Sequence, residues 1–146
     1  MIHNISYRTF VYSTEDEENV TKSISYLFSQ PSPVKTITED HFGNRITILS
    51  EKISKKRFTK DIIKFLNENL SEEDKCIIKN ELSRRMDDKG NLFLRFDKQE
   101  AYDETLKLTY TGDAIHMRIK IASYPVSKEN ALAVAKDMFD FLEWFL

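Results

Sequence analysis

Two segments in the second half of this sequence, residues 92–96 and 115–121, carry apolar residues at every second position. This alternation predicts β-strands that bury one face. Residues 2–12, rich in β-branched and aromatic side chains, predict another strand. Shorter alternating segments predict three more strands, at residues 34–38, 45–50 and 106–110. Gly112 and Asp113 predict a tight hairpin turn after the last of these.

Apolar residues recur at helical spacing in the intervening segments, which predicts helices over residues 15–28, 55–69, 71–87 and 127–145. Thr14 and Glu17 form a capping-box pattern, and Ser71 precedes an acidic first turn. The predicted order is β-α-β-β-α-α-β-β-β-α. Because strands occur in adjacent runs, we expect one α+β domain over residues 1–146, with helices mainly on one face of a mostly antiparallel sheet.

The phase of the first strand is ambiguous, because both of its faces carry apolar side chains. One set contains Ile5, Tyr7 and Val11, and the alternating set contains Arg8 and Phe10. Either set can face the core.

Charge is distributed unevenly along the chain. The total of 22 basic and 24 acidic residues gives a net charge of −2, which argues against a strongly basic nucleic-acid binder. Residues 45–98, however, hold fourteen basic and ten acidic side chains, net +4, between two segments of net −3. The distribution therefore predicts salt-sensitive binding through a local basic patch.

Sequence motifs for catalysis and metal binding are absent. The three glycines are isolated, so there is no phosphate-binding loop. No His or Cys spacing is typical of a metal site, and the single Cys76 reads as a buried helix residue. We predict a non-enzyme without cofactor or metal. One cysteine, no long apolar run and no signal peptide predict a cytoplasmic protein without a membrane span.

A basic ridge is predicted on the helix over residues 55–69, where Lys56, Lys60 and Lys64 recur every four residues and Arg57 flanks them. The ridge is about 12 Å long, enough for about two or three phosphates. The alternative is that these four side chains only form the solvated face of an amphipathic helix.

A second candidate surface is the outward face of the last three predicted strands. We expect the apolar alternating residues of these strands, such as Leu108 and Tyr110, to point inward. The outward residues are then Phe93, Arg95, Lys107, Thr109, His116, Arg118 and Lys120. This face can hold single-stranded RNA, with a base stacked on Phe93 and phosphates on the cations. The alternative is a polar sheet face without a ligand.

The last predicted helix offers a third surface. Trp144 lies on its acidic side, four residues after Asp140. An exposed tryptophan there is a candidate protein-interface anchor, and packing under a neighbouring loop is the alternative.

Two segments, EDHFGNRI at 39–46 and FLRFDKQEA at 93–101, resemble an archaeal family of predicted RNA-binding proteins proposed as exosome-associated subunits. The family carries a His-Gly-Asn-Pro-like turn and a Leu-Arg-x-Asp-Lys-Gln-x-Ala stretch. In this chain the turn holds His41, Gly43 and Asn44, with Phe42 inserted and Arg45 in place of proline. The resemblance implies a fold like that of large-subunit ribosomal protein number five, RNA binding and no catalysis.

Asp97, Lys98 and Gln99 follow the predicted strand in the second segment. Lys98 and Gln99 are candidates for phosphate or base contacts, and Asp97 for a turn cap. A purely structural role for these residues is the alternative.

We therefore expect a non-catalytic RNA-binding protein, active in RNA processing or in an exosome- or ribosome-linked complex with protein partners. The alternative is a protein-interaction module or homodimeric scaffold subunit without direct RNA contact.

Overall fold

The computed structural model describes residues 1–142, which form five strands and five helices followed by a short 3-10 turn. In chain order these elements are β1 (Ile2–Tyr12), α1 (Glu17–Leu27), β2 (Val34–Glu39), β3 (Arg45–Ile53), α2 (Lys56–Asn69), α3 (Glu72–Arg85), β4 (Asn91–Asp97), α4 (Lys98–Tyr102), β5 (Ala114–Ile121), α5 (Lys128–Met138) and the turn Asp140–Leu142.

The strands form one antiparallel sheet in the order β2-β3-β1-β5-β4. The register between β2 and β3 runs from Val34 opposite Ser50 to Glu39 opposite Arg45. The predicted α+β class and the mostly antiparallel sheet are confirmed.

The predicted strand over residues 106–110 is not a strand. Only Leu108 bridges to β4, opposite Phe96, and the short helix α4 precedes this segment. Main-chain bonds from Asp97 N to Lys107 O and from Thr109 N to Arg95 O hold it beside β4. The predicted hairpin is therefore wrong, because this segment lacks the full ladder that a second hairpin strand requires.

The phase of β1 is fixed by packing on its inner face. Tyr7 stacks on Phe28 with ring centroids 4.4 Å apart, and the buried Thr9 hydroxyl donates to Ala114 O at 3.0 Å. Arg8 is exposed and Phe10 is half-buried. By alternation, these two side chains lie on the outward face.

The helix caps agree with the sequence at α3 and differ at α1. Ser71 Oγ accepts a hydrogen bond from Asp74 N at 3.1 Å, as predicted. At α1 the cap is Asp16, whose carboxylate accepts from Glu18 N, and not the predicted Thr14. Both caps satisfy backbone donors in the first turn of their helix.

The chain divides into two compact units. One contains Met1–Ile5, Ile53–Leu94 and the chain from Arg118 onwards, and the other contains Ser6–Lys52 and Arg95–Met117. A single domain over residues 1–146 stays a prediction.

Each unit has its own buried apolar side chains. In the first unit they come from α2, α3, β4, β5 and α5 and include Leu66, Ile78, Leu82, Leu92, Ile119 and Ala135. In the second they include Tyr7, Ile24, Phe28, Leu49, Phe96 and Ile115.

Two turns share the pattern Asp-x-x-Gly-Asn. In the turn between β2 and β3, the Asp40 carboxylate accepts hydrogen bonds from Phe42 N and from the backbone and side chain of Asn44. These Asn44 bonds hold the pKa of Asp40 below its usual value. Gly43 supplies the positive φ of 76° that closes the turn.

The turn before β4 repeats this arrangement. The Asp87 carboxylate accepts from Lys89 N and from the backbone and side chain of Asn91, and Gly90 has a φ of 83°. In this second turn, a Cβ at Gly90 would lie 3.3 Å from Ile121 O.

Among residues 1–142, no helix is long and apolar enough to cross a membrane.

Candidate nucleic-acid interface

In the second unit, Arg8, Phe10, Arg95 and His116 form a group on the outward face of β1, β4 and β5; we call it the arginine–phenylalanine cluster. The Arg8 guanidinium lies 5.6 Å from the Phe10 ring centroid, a cation–π geometry. His116 meets the Phe10 ring edge-on, with centroids 6.4 Å apart. The result is an aromatic ring with one arginine over its face and an imidazole at its edge.

The arginines of this cluster have no acidic partner among residues 1–142. Neither Arg8 nor Arg95 makes an ion pair with any residue in the described part of the chain. Arg95 Nη1 instead donates to Tyr110 O at 3.3 Å, which orients the guanidinium. Two arginines without acidic partners create a positive potential that attracts an anion.

The positive charges of this cluster affect the pKa of His116. Desolvation is the largest cause that lowers its pKa below the usual 6.5, and the charges of Arg95 and Arg8 lower it further. A hydrogen bond between Nε2 and Gly112 O, at 3.2 Å, acts in the opposite direction. The net effect favours the neutral imidazole, whereas a bound phosphate would favour its protonation.

The segment beside β4 adds polar side chains near Arg95. Lys107 is exposed and Thr109 is half-buried, so both avoid the core as predicted. Tyr110, expected to point inward, is 67% exposed. That expectation is wrong because strand alternation ends where the hydrogen bonds to β4 stop.

In the first unit, Phe93 and Arg118 are exposed on β4 and β5, as the alternation predicted. Phe93 is 45% exposed, so its ring is accessible. Lys120 is half-buried, and its ammonium donates to Lys89 O at 2.7 Å. Of these two cations, Arg118 is the one without a hydrogen bond or ion pair to a described residue.

The basic ridge lies on α2 in the same unit. Lys56, Arg57, Lys60 and Lys64 are all exposed. Lys64 lies 3.9 Å from Glu68, and the Arg57 guanidinium lies 4.6 Å from the Phe58 ring centroid.

The start of α2 is unfavourable for helix stability. Its first turn holds Lys56 and Arg57 and no acidic residue, and the N-cap Lys55 provides no side-chain cap. The helix dipole disfavours cations at this end. By contrast, α3 has acids in its first turn and arginines in its last.

Lys98 is not part of an open surface, so its predicted contact with RNA is wrong. Its side chain is 2% exposed. The ammonium donates to Phe10 O at 2.8 Å and to Glu15 Oε1 at 2.9 Å, and it lies 2.6 Å from Asp113 Oδ1. All three ammonium protons are thereby engaged within the protein.

The rest of the Asp97–Ala101 stretch is also largely structural. Asp97 accepts from Glu100 N at 2.9 Å and caps α4, as one alternative predicted. Ala101 is buried, whereas Gln99 is exposed. The turn with His41, Gly43 and Asn44 has a structural explanation in the Asp40 hydrogen bonds, which leave His41 and Phe42 exposed.

Other sequence predictions have mixed outcomes. Cys76 is exposed rather than buried. Trp144 lies outside the described residues. Within residues 1–142, no group of His, Cys, Asp or Glu side chains is placed to hold a metal ion.

Sequence reasoning missed Arg8 and Phe10, because the phase of β1 was open. The alternation in β5 was one available signal, because it places His116 on the outward face. The residues beside His116 on the neighbouring strand β1 must then lie on the same face.

A family profile described as RNA binding matches residues 4–121. The chain belongs to this RNA-binding family. The match runs from the third residue of β1 to the end of β5, and so includes the arginine–phenylalanine cluster and the basic ridge.

Several proteins that resemble this RNA-binding family member come from archaea. RNA-binding protein PAB1135 from Pyrococcus abyssi is 35% identical over 97% of this chain and 94% of its own length. Mth689, a DUF54 protein from Methanothermobacter thermautotrophicus, has a solved structure with a TM-score of 0.84 and 35% identity, covering 95% of this chain and 98% of its own.

A second solved structure, the DUF54 protein AF2318 from Archaeoglobus fulgidus, has a TM-score of 0.85 and 31% identity. It covers 94% of this chain and 99% of its own. Both structures have the same fold over nearly the whole chain.

Proposed function

We propose that this protein binds RNA without catalysis, and that the arginine–phenylalanine cluster is its principal contact. The observation that carries the proposal is a pair of arginines without acidic partners among residues 1–142, one of which, Arg8, lies over the half-buried Phe10 ring. Arg8 and Arg95 meet phosphates, and Phe10 stacks on a base. Lys107 and His116 add phosphate contacts.

The RNA is single-stranded at this contact. A base can stack on an aromatic side chain only when it is not enclosed in a duplex. In the other unit, Phe93, Arg118 and Lys120 provide a similar combination of an aromatic ring and cations, and the basic ridge on α2 provides further phosphate contacts.

The direct test is a titration of fluorescently labelled RNA at several salt concentrations. We expect an unstructured single strand to bind more tightly than a duplex of the same sequence. The log–log salt slope should be about −2 or steeper, because Arg8, Arg95 and Lys107 alone make about three phosphate contacts to a single strand. Affinity that does not change with salt, or a preference for the duplex, would contradict the proposal.

Lys56→Glu should stabilise the protein and weaken RNA binding at the same time. It places an acid in the first turn of α2, which should raise the free energy of unfolding by about 0.5 kcal/mol. It also removes a phosphate contact, so affinity should fall about fivefold, or about 1 kcal/mol. Denaturant unfolding and RNA titration measure the two effects.

The matched control is Arg84→Glu, at the exposed end of α3. It places an acid at a helix C-terminus, so it should lower stability and change RNA affinity much less. Unchanged affinity in Lys56→Glu would remove the ridge from the RNA site.

We place this activity in RNA processing, with protein partners in an exosome- or ribosome-linked complex in the cytoplasm. The resemblance of residues 39–46 and 93–101 supports the complex, and the unpaired, exposed Cys76 fits a reducing compartment.

A protein-interaction or scaffold role is the second candidate function. It is favoured by an observation that RNA binding does not explain, namely that every residue of the edge strand β2 is exposed.

A further inference from the structure

The outermost strand, β2, leaves one edge of the sheet open. It pairs with β3 on one side and occupies the end of the strand order. All six of its residues are exposed, including Val34 at 63% and Ile37 at 54%. Such an edge is a template for the addition of another strand.

The β2–β3 turn defines which backbone groups of β2 are free. Asp40 N donates to Asn44 O at 3.0 Å, in continuation of the register that places Glu39 opposite Arg45. In an antiparallel pair, hydrogen-bonded and non-hydrogen-bonded pairs alternate. Thr36 and Thr38 therefore bond to β3, and the N–H and C=O groups of Lys35, Ile37 and Glu39 point to the open edge.

We propose that β2 pairs antiparallel with β2 of a second copy of this chain, with Ile37 opposite Ile37 at the two-fold axis. In this register, Lys35 lies opposite Glu39 of the second copy, and Glu39 lies opposite its Lys35. Every backbone group that points to the open edge then finds a partner. Opposite charges in directly facing positions stabilise strand pairs.

Other registers lose this complementarity. A shift of one residue places the free N–H and C=O groups of Lys35, Ile37 and Glu39 opposite residues whose backbone groups already bond to β3. A shift of two residues places Ile37 opposite Lys35 or Glu39 and leaves neither Lys35 nor Glu39 opposite a side chain of the other charge. The charge pattern of β2 therefore selects both the occupant and the register.

The charged side chains are available for this pairing. Glu39 makes no ion pair with any residue from 1 to 142. Lys35 lies 2.8 Å from Glu17, and both side chains remain partly exposed, at 47% and 41%. Glu17 thus holds the ammonium on the face where the second Glu39 arrives.

Sedimentation velocity over a concentration series tests the proposal. The full chain should form a dimer, and Ile37→Lys should weaken it at least about tenfold, because two lysines then face each other at the axis. Val126→Lys is the matched control, since Val126 is 62% exposed in the loop before α5 and its replacement should leave the dimer unchanged.

The charge pairs provide a sharper test. Lys35→Glu and Glu39→Lys should each weaken self-association, because each places like charges opposite one another. An equimolar mixture of the two variants should recover a dimer, since one chain then carries two acids and the other two lysines. Near-ultraviolet circular dichroism checks that each variant is folded.

Three results would overturn the proposal. They are a wild-type chain that stays monomeric at every concentration, a dimer that Val126→Lys but not Ile37→Lys disrupts, and charge variants whose mixture does not associate.

Discussion

Lys98→Met should lower the free energy of unfolding by about 3 kcal/mol, the lower end of what removal of one partner from a buried ion pair costs. The substitution leaves Glu15, whose side chain is 18% exposed, without its cation. It also leaves the Phe10 carbonyl without its donor. For a chain of this length the melting temperature should fall by about 10 °C. Thermal and denaturant unfolding measure the change.

The matched control is Lys107→Met, the same substitution at an exposed lysine of the same unit. It should change stability by no more than about 0.5 kcal/mol. Addition of Glu15→Gln to Lys98→Met should recover part of the loss, because it removes the unpaired charge. A folded Lys98→Met protein of wild-type stability that no longer binds RNA would show that Lys98 is a contact residue after all.

Arg8→Gln combined with Arg95→Gln should lower the affinity for single-stranded RNA about tenfold, or about 1.4 kcal/mol. The salt slope should become shallower by about 1.4, because two phosphate contacts are lost and each contributes about 0.7 for a single strand. Both arginines lie on the outward face, so the fold should persist. RNA titrations at several salt concentrations measure affinity and slope together.

Phe10→Leu separates stacking from charge in the same cluster. Loss of base–aromatic stacking costs about 1–3 kcal/mol per base, and it should leave the salt slope unchanged. Arg84→Gln removes an arginine that already lies 3.5 Å from Glu81, and serves as a neutral control. If the double arginine variant keeps the wild-type slope, RNA does not bind at this cluster.

The strands and helices were largely predictable because hydrophobic period reflects which face is buried. The exception at residues 106–110 shows the limit of this reasoning. Leu106 and Leu108 are buried there as the alternation required, yet the segment has only a single bridge to β4. Hydrophobic periodicity predicts which side chains point into the core. Strand pairing depends also on a neighbouring strand, which the local sequence does not specify.

The candidate site was predictable only in part. In β4 and β5 the inward residues are all apolar, so Phe93, Arg95 and His116 could be assigned to the outward face. In β1 the contacts of Tyr7 with Phe28 and Glu51 decide the phase, and these partners are distant in sequence.

Lys98 was misassigned for a related reason. A lysine is ordinarily exposed, and its burial here depends on Glu15 and Asp113, which lie far away along the chain. The nearby buried residues Phe96 and Ala101 gave only a weak signal of this environment.

The two Asp-x-x-Gly-Asn turns have a consequence for sequence variation in this family. Closure of each turn depends on the aspartate, glycine and asparagine, while the two intervening side chains are exposed. Those positions, occupied here by His41 and Phe42 in one turn and by Asp88 and Lys89 in the other, can therefore diverge at little cost to folding. Substitutions at these positions can change the exposed surface of each turn while the scaffold stays the same.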